Sequence, residues 1–124
     1  MLFRSTVRLA AARAAYWCRV APDKGHVRWV LPEGEDPALD ALARLSAAGE
    51  LLLGEGTKFA GMFRAHGLLV PVWDIPGEAE AADWEAPLAN FAKRYADTLA
   101  DAAPLDAAAR RAKQGLVGRQ LTLR

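Results

Sequence analysis

The chain has 124 residues, of which 52% are apolar and 25% charged, and its formal net charge is +1. This length suits one domain with its own core and is too short for two, and a charge near zero gives no overall field to attract nucleic acid or a membrane. The one cysteine, Cys18, excludes an internal disulfide and any multi-cysteine metal site, and its apolar neighbours predict a buried, inert thiol.

The first thirty residues predict a short strand and a hairpin. Thr6–Leu9 can supply a strand or an arm. Two β-rich runs, Ala15–Val20 and His26–Leu31, are joined by the turn-forming segment Pro22–Gly25.

A helix is predicted next. Asp36 suits the capping position, Pro37 the first turn and Gly49 the end of the helix. Three leucines at helical spacing form its apolar stripe: Leu39, Leu42 and Leu45.

The longest apolar region, residues 51–75, predicts a second hairpin. We expect strands at Lys58–Ala65 and Leu68–Asp74, joined by a turn at His66–Gly67. Both strands are apolar on both alternations, which places them near the centre of the sheet. Pro71 cannot donate a ladder hydrogen bond, so its side of the strand is expected at an edge or a bulge.

Two further helices are predicted after residue 80. The first begins near Asp83, and Pro104 ends it. Its apolar stripe has helical spacing: Trp84, Leu88, Phe91, Tyr95 and Leu99. The last, about Asp106–Gln114, ends at Gly115 and has a thin apolar face. Residues 116–124 are expected to form a short strand or an extended arm.

The two halves resemble each other, with Trp29 and Trp73 at matching places before a proline. We therefore predict an α+β domain with a mostly antiparallel sheet of four to five strands, built from two ββα units, and helices packed on one face. Internal duplication and simple turn chemistry both explain the match. The domain is expected to span residues 1–104, followed by a basic C-terminal helix and tail at 105–124.

No catalytic motif is recognisable. The glycine-rich segment 53–58 lacks the spacing of a phosphate loop, and no serine or cysteine stands in a nucleophile motif. Most acids cluster at helix starts, where the helix dipole favours them. No catalytic residue, metal ligand or cofactor is predicted. Four polar side chains could line a ligand pocket around the second hairpin: His66, Arg64, Glu55 and Asp74.

Charge is unevenly distributed along the chain. Residues 1–28 carry six basic groups against one acid, and residues 105–124 carry five against one. Basic ends either pack against an acidic middle or bind a polyanion. The polyanion candidates are Arg110, Arg111, Lys113, Arg119 and Arg124. No aromatic residue lies between them, so nucleic acid is not the expected partner.

No run of eighteen apolar residues is present, so no membrane span is predicted. The N-terminus is rich in arginine and free of acids, like an organellar transit peptide. However, Arg8 and Arg13 interrupt what would be the apolar core of a secretory signal. We expect a cytoplasmic protein.

Several segments together resemble a known family: AAYWCRV, RWVLPEG, DALARLSAAGE, LGEGTKFAGMFRAHGLLVPVWD and GLVGRQLTLR. From Val7 to Arg124 the chain resembles the C-terminal half of an uncharacterised actinobacterial family, domain of unknown function 5926, some of whose members are labelled SecA-related. A zinc-binding Cys/His tail, one basis for that label, is absent from this sequence. The resemblance implies no activity. It implies that the chain corresponds to part of a longer protein, whose N-terminal half is then a possible partner.

These observations favour a non-catalytic protein-interaction or structural domain, whose partner is another protein or that N-terminal half. One alternative is a small-molecule-binding or enzymatic domain with its pocket near His66. A second is weak polyanion binding through the basic C-terminal segment.

Overall fold

The computed structural model describes residues 5–76 and 79–121. These residues form a five-stranded antiparallel sheet and three α-helices, which confirms the predicted fold class. The strands are β1 (Ser5–Leu9), β2 (Ala15–Ala21), β3 (Lys24–Trp29), β4 (Lys58–Ala65) and β5 (Leu68–Pro76). The helices are α1 (Glu35–Ala47), α2 (Glu85–Leu99) and α3 (Ala107–Val117), and a short 3-10 helix at Ala81–Trp84 leads into α2. In this described part of the chain, no helix has the length and apolar character needed to cross a bilayer.

The strands lie in the order β1-β2-β3-β5-β4, so the two units β2-β3-α1 and β4-β5-α2 meet through β3 and β5. The side chains of Val27, Trp73 and Phe59 stand in register on one face and belong to the main core. α1 and α2 bury their apolar stripes in that same core. One face of the sheet therefore carries the helices, as predicted.

The matching tryptophans of the two units share a partner on α2. The rings of Trp29 and Trp73 both meet Phe91 edge to face, with centroids 6.2 and 5.0 Å away. Phe91 is fully buried. The repeated sequence pattern thus places one aromatic side chain from each unit in a single cluster, whether it arose by duplication or from similar turns.

The second hairpin forms as predicted, with its turn at His66–Gly67, but only β5 is central. The expectation that both strands lie near the centre is wrong for β4, which lies at the edge of the sheet. Its outer edge is covered by the C-terminal segment, because Met62 accepts from and donates to that segment's backbone, and this explains its apolar character. Pro71 pairs with β4 and lies one residue beyond Val72, where the β3 ladder ends, so its missing N–H leaves no gap there.

Two predicted boundaries in the first half are wrong. The turn between β2 and β3 contains only Pro22 and Asp23, because Ala21 already pairs with Lys24. β3 therefore begins and ends two residues earlier than expected. α1 begins before Asp36, and the residue at its N-cap is Gly34, without a side-chain cap.

The remaining expectations for α1 are confirmed. The three leucines of its stripe are buried. Gly49 follows the helix at φ +73°, a conformation that suits glycine at a helix end.

α3 starts as predicted, because the Asp106 carboxylate accepts a hydrogen bond from the Ala109 N–H at 2.8 Å. Its predicted end at Gly115 is wrong. The helix continues to Val117, since the buried Leu116 holds the last turn against the core. Gln120 then forms a parallel bridge with Met62 at the edge of β4. The arm predicted at 116–124 is thus limited to the residues after α3, and 122–124 lie outside the described residues.

Candidate functional site

The four residues predicted to form a pocket near the second hairpin do not converge. His66 is exposed in the β4–β5 turn. Asp74 pairs with Lys58 at the opposite end of the hairpin, about 20 Å from the turn at ~3.3 Å per strand residue. Glu55 is exposed in the loop before β4. Only Glu55 and Asp74 therefore share an end of the sheet.

Arg64 has a structural partner instead. Its Nε lies 2.8 Å from the Glu35 carboxylate, and its Nη2 donates to the same oxygen. A further nitrogen donates to the Gln120 side chain at 3.2 Å. The Glu35 carboxyl has a pKa below its usual range, chiefly through its hydrogen bond with Arg64, while partial desolvation opposes this and the charge of Arg64 adds to it. Arg64 thus joins α1 to the edge of the sheet.

A different polar group forms on the sheet face opposite the helices. Strand pairing sets five side chains side by side in one row, which we call the polar row: Thr6, Cys18, His26, Asp74 and Lys58. Neighbouring side chains in such a row have Cβ atoms about 4.5–5.5 Å apart. On β2 to β5 each residue of the row has a core residue next to it along the strand, so the sheet that buries Val27 and Trp73 on one face presents His26 and Asp74 on the other.

His26 and Asp74 form the centre of the row. Nδ1 of His26 lies 2.9 Å from Oδ1 of Asp74, and their side chains are 26% and 50% exposed. The carboxylate of Asp74 is therefore the direct polar partner of the His26 imidazole across the β3–β5 pairing.

A cavity of about 610 Å³ opens beside this pair. We call it the His26 cavity. Its polar lining comes from Asp23, Lys24, His26, Lys58 and Asp74. This volume lies within the range of pockets that hold small molecules, about 300–1,000 Å³.

Two glycines shape the cavity. A Cβ at Gly25 would lie 3.1 Å from Cγ1 of Ile75, so glycine lets β3 approach β5 closely beside His26. Gly56 has φ +77°, which the turn before β4 requires. The two-residue turn after β2 places Lys24 at the first position of β3, and Lys58 opens β4. Both lysines therefore lie at the same end of the sheet, where β5 ends.

Cys18 belongs to the row but not to the lining of the cavity. It is 5% exposed, and the Thr6 hydroxyl donates to its sulfur at 3.6 Å. The prediction of a buried thiol is confirmed. Within residues 5–76 and 79–121, no three His, Cys, Asp or Glu side chains are grouped as metal ligands would be.

The predicted polyanion-binding residues are partly engaged within the chain. Lys113 Nζ lies 2.7 Å from the Asp40 carboxylate, Arg110 donates to the Leu105 carbonyl at 2.7 Å, and Arg119 approaches the Phe59 carbonyl at 3.5 Å. Arg111 is exposed on α3, and Arg124 lies outside the described residues.

A comparison of the sequence with models of protein families gives a match over almost the whole chain. Residues 3–124 match a sequence model described as "Family of unknown function (DUF5926)". The chain belongs to this family. Neither the curated proteins nor the solved structures contain a match.

Sequence reasoning identified Asp74 but paired it with the wrong histidine. His26 and Asp74 are 48 positions apart and become neighbours only through the pairing of β3 with β5. The signal available was the match between the two halves. That match suggests pairing between the strands that carry Trp29 and Trp73, but the register that sets His26 opposite Asp74 is visible only in the structure.

Proposed function

We propose that this domain binds a small anionic molecule, carrying a carboxylate or a phosphate, in the His26 cavity. The observation that carries the proposal is the His26–Asp74 pair, in register on adjacent strands, beside a cavity of about 610 Å³. The lysines at its rim, Lys24 and Lys58, supply the positive charge.

The charges of the cavity set the kind of ligand. Lys24 and Lys58 can each donate charge-assisted hydrogen bonds to an anionic oxygen. Asp74 and Asp23 accept hydrogen bonds, so a hydroxyl or amine next to the anionic group completes the match. A purely anionic polymer is a poor fit, since the two aspartates repel its neighbouring charges.

The arrangement supports binding rather than covalent chemistry. A nucleophile must lie within reach of both its base and the substrate. The thiol of Cys18 is 5% exposed and receives the Thr6 hydroxyl, and it does not line the cavity. The non-catalytic role predicted from the sequence is therefore kept, with a small ligand in the cavity and a cytoplasmic setting as part of the proposal.

Calorimetric titration tests the proposal. The probes are inorganic phosphate and a panel of small hydroxy acids, amino acids and phosphorylated sugars. We expect saturable one-to-one binding of at least one probe. Lys58→Ala should weaken it about tenfold, as expected when one charge-assisted hydrogen bond worth ~1.4 kcal/mol is lost.

Lys93→Ala is the matched control, because Lys93 is an exposed lysine on α2, away from the cavity. It should leave the dissociation constant unchanged. The proposal fails if no probe binds, or if removing Lys93 weakens binding as much as removing Lys58.

A further inference from the structure

A second concave surface lies on the helical side of the domain, away from the His26 cavity. It is a groove of about 690 Å³ between α3, α1 and the segment that precedes α3. We call it the α3 groove. Asp40, Leu105, Arg110, Lys113 and Val117 contribute to its lining.

α3 divides into two faces. Ala109 and Leu116 are buried where the helix packs against the rest of the domain. Another stripe, at positions i, i+3 and i+7, consists of Arg110, Lys113 and Val117, which face the groove. The outer stripe of the helix therefore presents two cations and the exposed side chain of Val117.

The apolar part of the groove is accessible. Val117 is 45% exposed, whereas its neighbour Leu116 on the same helix is buried. Leu105 is half-buried at the other end of the groove. The distance of two helical turns between Arg110 and Val117 is about 10 Å, and side chains on one face of an extended peptide recur about every 7 Å, so two neighbouring side chains of that face can reach the two residues.

The charged part of the groove is basic. Two of the three cations of α3, Arg110 and Lys113, line the groove, and the helix carries no acid. The acid facing it, Asp40, is already paired with Lys113 at 2.7 Å. Arg110 is held over the groove by its hydrogen bond to the Leu105 carbonyl, which leaves part of its guanidinium fork facing outward.

We propose that the α3 groove is a docking surface for an acidic peptide segment of a partner protein, in which Asp or Glu and Leu- or Val-like residues occur in turn at every second position, so that both kinds share one face of the extended chain. The acid pairs with Arg110, and the branched residue packs on Val117 and Leu105. This complementarity of charge and apolar surface is the form that peptide recognition by arginine commonly takes.

Nucleic acid fits the groove less well than such a peptide. No aromatic side chain lines it on which a base could stack. An apolar rim also gains nothing from a sugar-phosphate backbone, which is recognised chiefly by cations.

Fluorescence anisotropy on the full chain tests the proposal. The probe is a labelled peptide with glutamate and leucine in turn at every second position and serine between them, which places both on one face of the extended chain. Its controls are the same peptide with lysine in place of glutamate, and a labelled single-stranded oligothymidylate. We expect the acidic peptide to bind and both controls to bind at least about tenfold more weakly.

Three variants separate the groove from general charge. Arg110→Glu removes the ionic contact and Val117→Ser removes the apolar contact. Each substitution should weaken binding of the acidic peptide about tenfold. Arg111→Glu is the matched control, since Arg111 makes the same charge change on the same helix but does not line the groove. It should alter affinity less than about twofold. Circular dichroism checks that α3 is retained in all three.

Several results would overturn the proposal. One is no binding of the acidic peptide, and another is an equal loss with Arg111→Glu and Arg110→Glu. Tighter binding of oligothymidylate would assign the groove to a polyanion. Self-association of the chain that Arg110→Glu abolishes would assign it to a second copy.

Discussion

The carbonyl oxygen of Arg119 lies 2.5 Å from the point where a side chain at Gly61 would place its Cβ. Gly61 also has φ +145°, in the region that favours glycine. The absence of a side chain lets the C-terminal segment run along β4, where the Leu121 N–H donates to the Met62 carbonyl at 2.8 Å and the Met62 N–H donates to Arg119 at 3.2 Å. One glycine therefore decides whether the edge of the sheet is covered.

Gly61→Ala should displace this segment and destabilise the domain by about 1–3 kcal/mol, because the added methyl group clashes with the Arg119 carbonyl and the backbone at residue 61 is strained for a residue with a side chain. Urea denaturation measures the loss of stability. Hydrogen exchange should show faster exchange at the Leu121 amide. Gly115→Ala is the control, since nothing lies within 4 Å of its Cβ and the helical site should gain ~0.5–1 kcal/mol. Slow exchange at Leu121 in the Gly61 variant would contradict the prediction.

Tyr95 should make the domain sensitive to alkali. Its pKa is raised well above the ordinary 10.0, mainly by burial and further by its hydrogen bond to Glu33 and by the charge of Glu33. A raised pKa in the folded state contributes stability that is present below pH 10.0 and is lost as the pH rises beyond it, because only the unfolded chain then ionises.

Thermal melts between about pH 8 and 11 test this dependence. The melting temperature of the wild type should fall above pH 10.0, and the fall should be smaller in Tyr95→Phe. At neutral pH this variant should lose about 1 kcal/mol, since the hydroxyl donates to Glu33 at 2.7 Å. If the melting temperatures of the wild type and Tyr95→Phe fall by the same amount across this pH range, the assignment to Tyr95 is wrong.

The Arg64–Glu35 pair should make the stability of the domain sensitive to acid, whereas Tyr95 makes it sensitive to alkali. Because the Glu35 pKa is lowered in the folded state, chiefly by its hydrogen bond with Arg64, its contribution is present above the ordinary value of 4.5 and is lost as the pH falls through the lowered value. Glu35→Gln should therefore lower the urea midpoint at pH 7 and have little effect at acidic pH. The exposed Glu50, changed to Gln, provides the comparison. A deficit that stays constant down to pH 2 would contradict this account.

Phe91 should be among the most costly core residues to truncate, because it is fully buried and touches the tryptophans of both units. Phe91→Ala should destabilise the domain by about 3–5 kcal/mol. Leu52→Ala, at a site 45% exposed, should change the free energy of unfolding by less than ~0.5 kcal/mol. Chemical denaturation of both variants measures the difference, and similar midpoints would contradict the central place of Phe91.

Much of the fold was predictable because its signals are local. Turn residues at His66–Gly67, the leucine stripe of α1 and the aromatic stripe of α2 each depend on nearby sequence. The errors have non-local causes. β4 lies at the edge because β5 pairs with β3, and α3 passes Gly115 because Leu116 has a place in the core.

The candidate site was harder to predict for the same reason. Asp74 was recognised, but its partner depends on strand order, which sequence patterns alone do not supply. His66 drew attention because it lies in a conspicuous turn beside charged residues. His26 follows a turn of ordinary composition and acquires its neighbours only when three strands pair.

The binding of an anionic ligand beside His26 is tested most directly by NMR, because the chain has only two histidines. Their imidazole signals are recorded while inorganic phosphate and the strongest calorimetric binder are added, and His66→Ala assigns them. The account predicts that the His26 signal moves and saturates while the His66 signal, about 20 Å or more away at the other end of the hairpin, stays in place. If the His26 signal is unmoved, or both signals drift together without saturation, the His26 cavity is not a ligand site.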